Sequence, residues 1–317
     1  MAAAVMIRAP GRRSCPRPSL DLRGGLSTLP DVVLATCSVL PGLDPDERSL
    51  IPALEVCGLA AEPRVWDDPS VRWDDVPLVV VRSTWDYAER RDAFLSWCAA
   101  LPRVLNSVPV ITWNTDKAYL RTLAAAGIPI VPTMWIGTDS PAGRFVLPEG
   151  DLVVKPSISS GAQNTSRYRG ADQDAARTHV ERLLIEGREV MVQPYVSSVD
   201  IDGETGLIYV DGAFSHAIRK GALLHSPGIA TDQLWAIEDI TPRTPDADER
   251  SIAEATMDSL PWSRAELLYA RVDVVRGGDG VPLLLELELA EPSLFLGLGS
   301  GAAPRLAEAI ARRIRQG

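Results

Sequence analysis

A chain of 317 residues can bury a substantial core and is long enough for two or three subdomains. Apolar residues make up 46% and charged residues 23%, as in globular proteins, and the net charge of −10 argues against a nucleic-acid partner, which needs a basic face. No apolar run approaches the length of a membrane span, so no membrane partner is expected.

Residues 1–28 are basic and rich in Arg, Pro and Gly, without an apolar core of signal-peptide length, and read as a disordered leader or as the product of an upstream start codon. Cys15, Cys37, Cys57 and Cys98 show no C-x-x-C spacing, so reduced thiols and a cytoplasmic location are expected. His179, His216 and His225 form no zinc pattern. Order begins near Leu29. Asp31–Cys37 is a β-rich run, and a helix is predicted from Asp46 to about Ala60, with acidic residues in its first turn. Arg64–Trp66 and Leu78–Arg82 read as strands, Arg90–Leu101 as an amphipathic helix and Val104-Leu105 as a short strand. This alternation predicts a small doubly wound α/β domain over residues 29–106.

Thr115–Ala126 reads as a helix capped by Thr115 or Asn114 and stopped at Gly127. A strand at Ile130–Trp135 follows, then one ending in Lys155-Pro156, a helix at Ala171–Glu186 and a strand at Val190–Val196. Gly206–Val210 and Ala213–Arg219 make a hairpin over Asp211-Gly212. Ser251–Leu260 is helical, Leu267–Val275 and Val281–Leu289 form a second hairpin, and a helix runs from about Pro304 to Arg315.

Only three of the 32 basic residues are lysine: Lys117, Lys155 and Lys220. Where arginine serves almost everywhere, a residual lysine marks a place for a compact ammonium, such as a phosphate contact; codon bias is the alternative. The second hairpin is the strongest local signal. With a four-residue turn at Gly277–Gly280, Arg276 pairs with Val281 and Arg271 with Glu286. Alternation then puts Arg271, Asp273, Glu286 and Glu288 on one face, and Val272, Val274, Leu285, Leu287 and Leu289 on the other. Three carboxylates that close raise one another's pKa values unless a cation sits among them. All-oxygen ligation suits Mg²⁺ or Mn²⁺; a solvated strand face with Arg271 neutralising one acid is the alternative.

Lys155 is followed by Ser157-Ile158-Ser159-Ser160-Gly161-Ala162, a small-residue loop whose backbone N–H groups could approach an oxyanion closely. Gln193-Pro194-Tyr195-Val196 ends a strand where an adenine could meet exposed backbone, with the Asp200 carboxylate further along for a ribose.

In their order, Asn114–Lys117, Val153–Pro156 with its loop, Gln193–Val196, Ile218–Lys220, Arg271–Asp273 and Glu286–Glu288 resemble the ATP-grasp superfamily, of the glutathione-synthetase or RimK-like sort. The resemblance implies an ATP-grasp fold of the α/β (α+β) class, with a doubly wound pre-ATP-grasp substrate domain at residues 29–106. A central subdomain at 107–192 and a C-terminal subdomain at 193–317 would follow. It implies ATP as cofactor, with Lys117 and Lys155 on the α- and β-phosphates and the loop containing Ser157, Ser159, Ser160 and Gly161 over the β/γ-phosphates. Gln193, Pro194, Tyr195 and Val196 would line the adenine pocket, Asp200 would bind the ribose, and Glu204 would lie near the nucleotide. Arg219 and Arg271 would act on the transferred phosphate together with Lys155; Lys220 is the secondary candidate beside Arg219. Asp273, Glu286 and Glu288 would hold two Mg²⁺ ions, although the superfamily often has Asn where Glu288 stands.

Arg82-Ser83-Thr84-Trp85-Asp86-Tyr87 and Glu286–Phe295 resemble more narrowly the group with the ATP-grasp enzyme that closes O-ureido-D-serine to D-cycloserine. Arg82 to Asp86 would then contact substrate at the carboxyl edge of the first sheet; the alternative is an aromatic staple between domains. The implied activity is an ADP-forming ligase that joins a small carboxylate to an amine through an acyl phosphate, in a chain that could pair as a homodimer. A small-molecule kinase and a nucleotide-binding protein without turnover are the alternatives.

Overall fold

The computed structural model describes residues 29–140, 145–224 and 239–316; the basic leader, Cys15 and His225 lie outside these. The first unit runs β1 (Val32–Thr36), α1 (Leu50–Val56), β2 (Ala61–Val65), β3 (Val79–Val81), α2 (Arg91–Ala100) and β4 (Val104–Leu105). Its strands form a parallel sheet in the order β2-β1-β3-β4. The central strands β1 and β3 are near-continuously apolar and buried on both faces, as the middle of a doubly wound sheet requires, while the edge strands β2 and β4 are half-buried. The helix expected from Asp46 is divided into a 3-10 turn at Pro45–Glu47, capped by Asp44, and α1. Pro52 is the reason: it lacks an N–H for an interior helical bond but is tolerated in the first turn of α1.

Two helices follow where one was expected, α3 (Val108–Asn114) and α4 (Tyr119–Ala125), and Gly127 at φ +90° stops the second. The second sheet has β5 (Met134–Ile136), β6 (Leu152–Pro156), β7 (Ser166–Tyr168) and β8 (Val190–Pro194) in the antiparallel order β5-β8-β6-β7. Helix α5 (Gln173–Ile185) packs on it through Ala176, Val180 and Leu183. The strand expected at Ile130–Trp135 divides at Pro132. Ile130 bridges Leu284 in the next sheet, and only Met134–Ile136 pairs with β8.

A short helix α6 (Val199–Asp202) leads into β9 (Glu204–Val210), β10 (Ala213–Lys220) and β11 (Ile240–Arg243). Helix α7 (Ala247–Asp258), β12 (Tyr269–Arg276), β13 (Pro282–Glu288) and α8 (Ala302–Gln316) complete the described chain. The third sheet is antiparallel in the order β11-β10-β9-β12-β13. Asp211 and Gly212 both take positive φ in the β9–β10 turn, the twist a two-residue hairpin needs. One face of the sheet (Leu207, Tyr209, Val272, Val274) packs on α4 and α7. At one end of the opposite face, Ile208, Ile218 and Tyr269 meet α1 and α8.

The β12–β13 register differs from the expected one. The turn is one residue longer, so Arg276 faces Pro282, and a bulge at Leu285 adds a second shift. Arg271 therefore faces Glu288, and Asp273 faces Glu286. The four charged residues still share a face, but Leu284 takes the core position expected of Leu285. Leu285 turns toward the same side as Glu286, since a bulge lets two successive residues face one way.

The first unit is fastened to the end of this hairpin. Arg82 is fully buried, paired with Glu47, donates to the Pro292 carbonyl at 2.6 Å, and lies over the Tyr269 ring at 4.8 Å. Ser83 Oγ donates to the Glu47 carboxylate at 3.1 Å. The Tyr269 hydroxyl donates to the Val81 and Ala290 carbonyls at 2.8 and 3.0 Å. The Asn106 amide donates to the carbonyls of Leu289 and Tyr269 and accepts from the Leu268 N–H. Arg82, Ser83 and Thr84, expected at the substrate, are thus interior residues of the junction.

Removing one member of a buried ion pair leaves an uncompensated charge. Arg82→Met is expected to cost about 3–5 kcal/mol of stability in urea unfolding. A near-neutral change with a raised substrate KM would return Arg82 to the substrate site. A second expectation concerns pH. Burial, reinforced by Arg182, pushes the His179 imidazole down to about 4, and Tyr168 Oη lies 3.0 Å from its Nδ1. The unfolded chain, whose histidine titrates near 6.5, takes up a proton that the folded chain refuses. This contribution is complete above pH 6.5 and is lost as pH falls toward 4. His179→Phe is expected to flatten that part of the stability–pH curve.

Candidate active site

A cavity of about 450 Å³ lies between the second and third sheets, roofed by the loop after β6 and closed at one end by the first unit. That size suits a nucleotide-sized ligand. Its apolar part is lined by Val131, Val153, Val199, Val275 and Leu285, with Gln193, Pro194, Tyr195 and Val196 along one edge. The Gln193 amide donates to Thr133 Oγ1 at 2.8 Å, and the Tyr195 N–H is used by the Asp151 carbonyl.

The charged part collects all three lysines. Lys155 reaches it from β6, Lys117 from the turn before α4, and Lys220 from the end of β10. Lys117 Nζ donates to the Ser159 carbonyl at 2.8 Å and lies 3.0 Å from Glu286 Oε1, tying the loop to the carboxylate hairpin. Lys220 Nζ is 3.3 Å from Glu204 and 3.6 Å from Asp273. Burial pushes the Lys155 ammonium below its usual range, against the pull of Glu286.

The hairpin carboxylates are held apart electrostatically. Burial pushes Asp273 up, but Arg271 and Lys220 outweigh it and leave its pKa below the usual value. Glu286 is likewise pushed up by burial and brought below its usual value by Lys117 and Lys155. Glu288 goes the other way: burial, only partly offset by Arg271, pushes it up to about 7. Arg271 grips Asp273 through Nε and Nη2 at 2.8 Å each and also pairs with Glu288. Glu286 and Glu288 line the cavity, whereas Asp273, 1% exposed, sits behind them. Among the described residues, no three Asp, Glu, His or Cys side chains are grouped to hold a metal ion. The expected three-carboxylate ligand set is therefore not assembled here, because protein cations stand between its members. The donor chemistry on the wall, two glutamates with hard oxygens, still fits a divalent cation.

The loop after β6 carries Gly161, Ala162 and Asn164 at positive φ and brings Ser159, Ser160, Gly161 and Thr165 to the cavity. Ser157 is buried beneath it, its carbonyl accepting from the Lys117 N–H.

Several expected residues do not reach the cavity. Arg219 points away and donates to the carbonyls of Asp202 and Ile201 at 2.9 and 3.2 Å. Lys220 faces inward instead, reversing the expected order of the two, because the β10 register sets Lys220 opposite Glu204. Asp200 is taken up by Tyr195, whose hydroxyl donates to it at 2.5 Å, and by Arg167 at 3.2 Å. Of the stretch from Arg82 to Asp86, only Trp85 lines the cavity; Asp86 accepts from the Trp66 indole and pairs with Arg90. Other wall residues lay within the phrases that carry the resemblance but had no site role assigned to them: Tyr87, Glu291, Ser293, Phe295 and Asn114. Asn114 donates to the Leu287 carbonyl at 2.8 Å and accepts from the Leu289 and Ala290 N–H groups. In the sequence Asn114 was a candidate helix cap and the first residue of the motif that ends at Lys117.

The arrangement defines an ATP-grasp protein, two sheets closing on a cavity in which lysines and carboxylates are interleaved. D-alanine–D-alanine ligase from Bacillus anthracis, solved with ATP, shares this fold with a TM-score of 0.61 over 90% of this chain and 97% of its own, at 17% identity. The family described as "D-cycloserine synthetase DcsG, N-terminal domain" matches residues 32–106. The cycloserine biosynthesis protein DcsG of Streptomyces lavendulae is 38% identical over 302 residues, spanning 90% of this chain and 99% of that protein. The crystal structure of D-cycloserine synthetase DcsG superposes with a TM-score of 0.78 at 37% identity, over 89% of this chain and 99% of that one. The chain belongs to the D-cycloserine synthetase family of ATP-grasp ligases.

The inward and outward places of Lys220 and Arg219 can be separated by kinetics. Lys220→Ala is expected to lower kcat/KM for ATP by roughly 10–100-fold, the loss of one charge-assisted contact. Arg219→Ala should leave it within about threefold, since a group away from the ligand contributes little. Equal losses in both variants would remove the distinction.

Proposed function

We propose that the cavity binds ATP with a divalent cation and activates the carboxylate of a small amino-acid derivative of the O-ureido-D-serine type. The observation that carries this reading is the convergence of all three lysines with Glu286 and Glu288 on one cavity of nucleotide size. The adenine lies in the apolar slot beside Gln193 to Val196. Lys117, Lys155 and Lys220 lie along the phosphates, under the serine-rich loop. Glu286 and Glu288 hold the cation, with Asp273 behind them as a fixed countercharge to Arg271. When bound, Mg²⁺ neutralises charge on the phosphate oxygens.

A carboxylate is a poor electrophile. Its oxygen takes the γ-phosphoryl group, the bond to the β-phosphate oxygen breaks, and ADP leaves. An internal nitrogen then attacks the carbonyl carbon. The carbon–oxygen bond to phosphate breaks, the nitrogen loses a proton, and inorganic phosphate leaves. The lysines and Arg271 steady the charge that develops during phosphoryl transfer, and no side chain becomes covalent. Lys117 links loop and hairpin, so the residues over the phosphates and those at the metal end are set together.

Incubation with ATP, Mg²⁺ and O-ureido-D-serine is expected to release ADP and inorganic phosphate in equal amounts. A stable phosphorylated product without free phosphate would mark a kinase instead. Glu286→Gln should lower Mg²⁺-dependent ATP turnover by roughly 10²–10³-fold while the circular dichroism spectrum is kept. Full activity in that variant would remove Glu286 from the site.

A further inference from the structure

Glu291 stands apart from the other carboxylates of the cavity. Glu286 faces Lys117, Glu288 faces Arg271 and Glu204 faces Lys220. Asp44, also on the wall, caps a 3-10 turn by accepting the Asp46 N–H. Among the described residues Glu291 makes no ion pair, although it is 9% exposed and lines the cavity; its hydrogen-bond donor is Tyr87. Burial, then Glu288, pushes its carboxyl up to about 8.

Its position is fixed from behind. The Trp85 indole N–H donates to the Glu291 carbonyl at 3.1 Å, and Arg82 holds the next carbonyl, that of Pro292. The rings of Trp85, Tyr87 and Phe295 line the same end of the cavity. A buried carboxylate lacking a fixed cation, among aromatic rings, is what recognises an organic ammonium: a charged hydrogen bond on one side and ring faces on the others. Lys117 and Lys220 are paired with other carboxylates, and Arg271, 5.8 Å from the Phe295 ring, is taken up by Asp273 and Glu288; the reacting carboxylate must go to the lysines.

We propose that Glu291, with Trp85 and Tyr87, is the binding site for the primary ammonium group of the substrate. It orients a zwitterion so that its carboxylate meets the lysines. This deepens the ligase reading and rests on it for the identity of the cavity. The contact is made in the bound state before any transfer, so Glu291 sets which carboxylate is accepted.

The test is equilibrium binding by titration calorimetry, with Mg²⁺ and a non-hydrolysable ATP analogue present. The two probes are D-serine and 3-hydroxypropanoate, which differ by the ammonium group. The wild-type protein is expected to bind D-serine at least about tenfold more tightly, the scale of one charge-assisted hydrogen bond. Glu291→Gln should reduce that preference to about twofold or less while its affinity for the ATP analogue is unchanged. Glu291→Asp, which keeps the charge, should retain a preference. A wild-type protein without a preference, or a Glu291→Gln variant that keeps it, overturns the proposal, as does equal loss in both variants. ADP release from O-ureido-D-serine without a D-serine preference would reject the ammonium site and keep the ligase reading. A D-serine preference without ADP release would do the reverse.

Discussion

The backbone from Leu287 to Leu294 is the constraint on which the remainder of the structure depends. It leaves the carboxylate hairpin and passes under the first unit, and side chains from four separate stretches hold its peptide groups. Asn114 takes three of them, Asn106 and Tyr269 one each, and Arg82, Trp85, Arg271 and His216 take carbonyls further on. A segment of irregular backbone can be buried only if each polar group finds a partner, so these bonds are a condition of burial. Their consequence is geometric: Glu286, Glu288 and Glu291 are delivered to one wall of the cavity with little freedom.

The same logic of compensation governs the charges. The cavity places Glu204, Asp273, Glu286 and Glu288 near one another, and three of the protein's own cations, Lys117, Lys220 and Arg271, stand among them. Interleaving the two signs lets a dense ionic site be buried without large self-repulsion. It also means that a ligand bringing phosphates and a cation exchanges ion pairs and does not fill an uncompensated site. Lys117 is the hinge of that exchange, because it bonds both the loop over the cavity and Glu286.

Much of the architecture was legible locally. Alternating apolar residues marked both hairpins, since burial of one face imposes a period of two, and near-continuous apolar runs marked β1 and β3, which are buried on both faces. The departures have local physical causes that act over longer range. Pro52 and Pro132 divided elements that hydropathy alone would continue. β7 and β11 are short edge strands whose sequences carry little apolar signal, so their pairing is decided by the neighbouring strand. The bulge at Leu285 left no mark in composition, yet it moved the register by a residue and exchanged Leu284 with Leu285.

The sequence by itself determined the class of chemistry. The scarcity of lysine, the paired acids of the second hairpin and the order of the motifs are properties of residue identity and spacing, and they pointed to phosphate, metal and ligation. Tertiary structure decided which member of each pair faces inward. Arg219 and Lys220 are adjacent, so alternation guarantees that they diverge but cannot say which one meets the ligand; the register with Glu204 does that. Arg82 and Trp85 lie three residues apart in one distinctive phrase, yet one is sealed under the Tyr269 ring and the other lines the cavity. Glu291 gains its meaning only from what surrounds it. The presence of a countercharge is a fact of three-dimensional neighbours, and those of Glu291 come from a part of the chain some two hundred residues away.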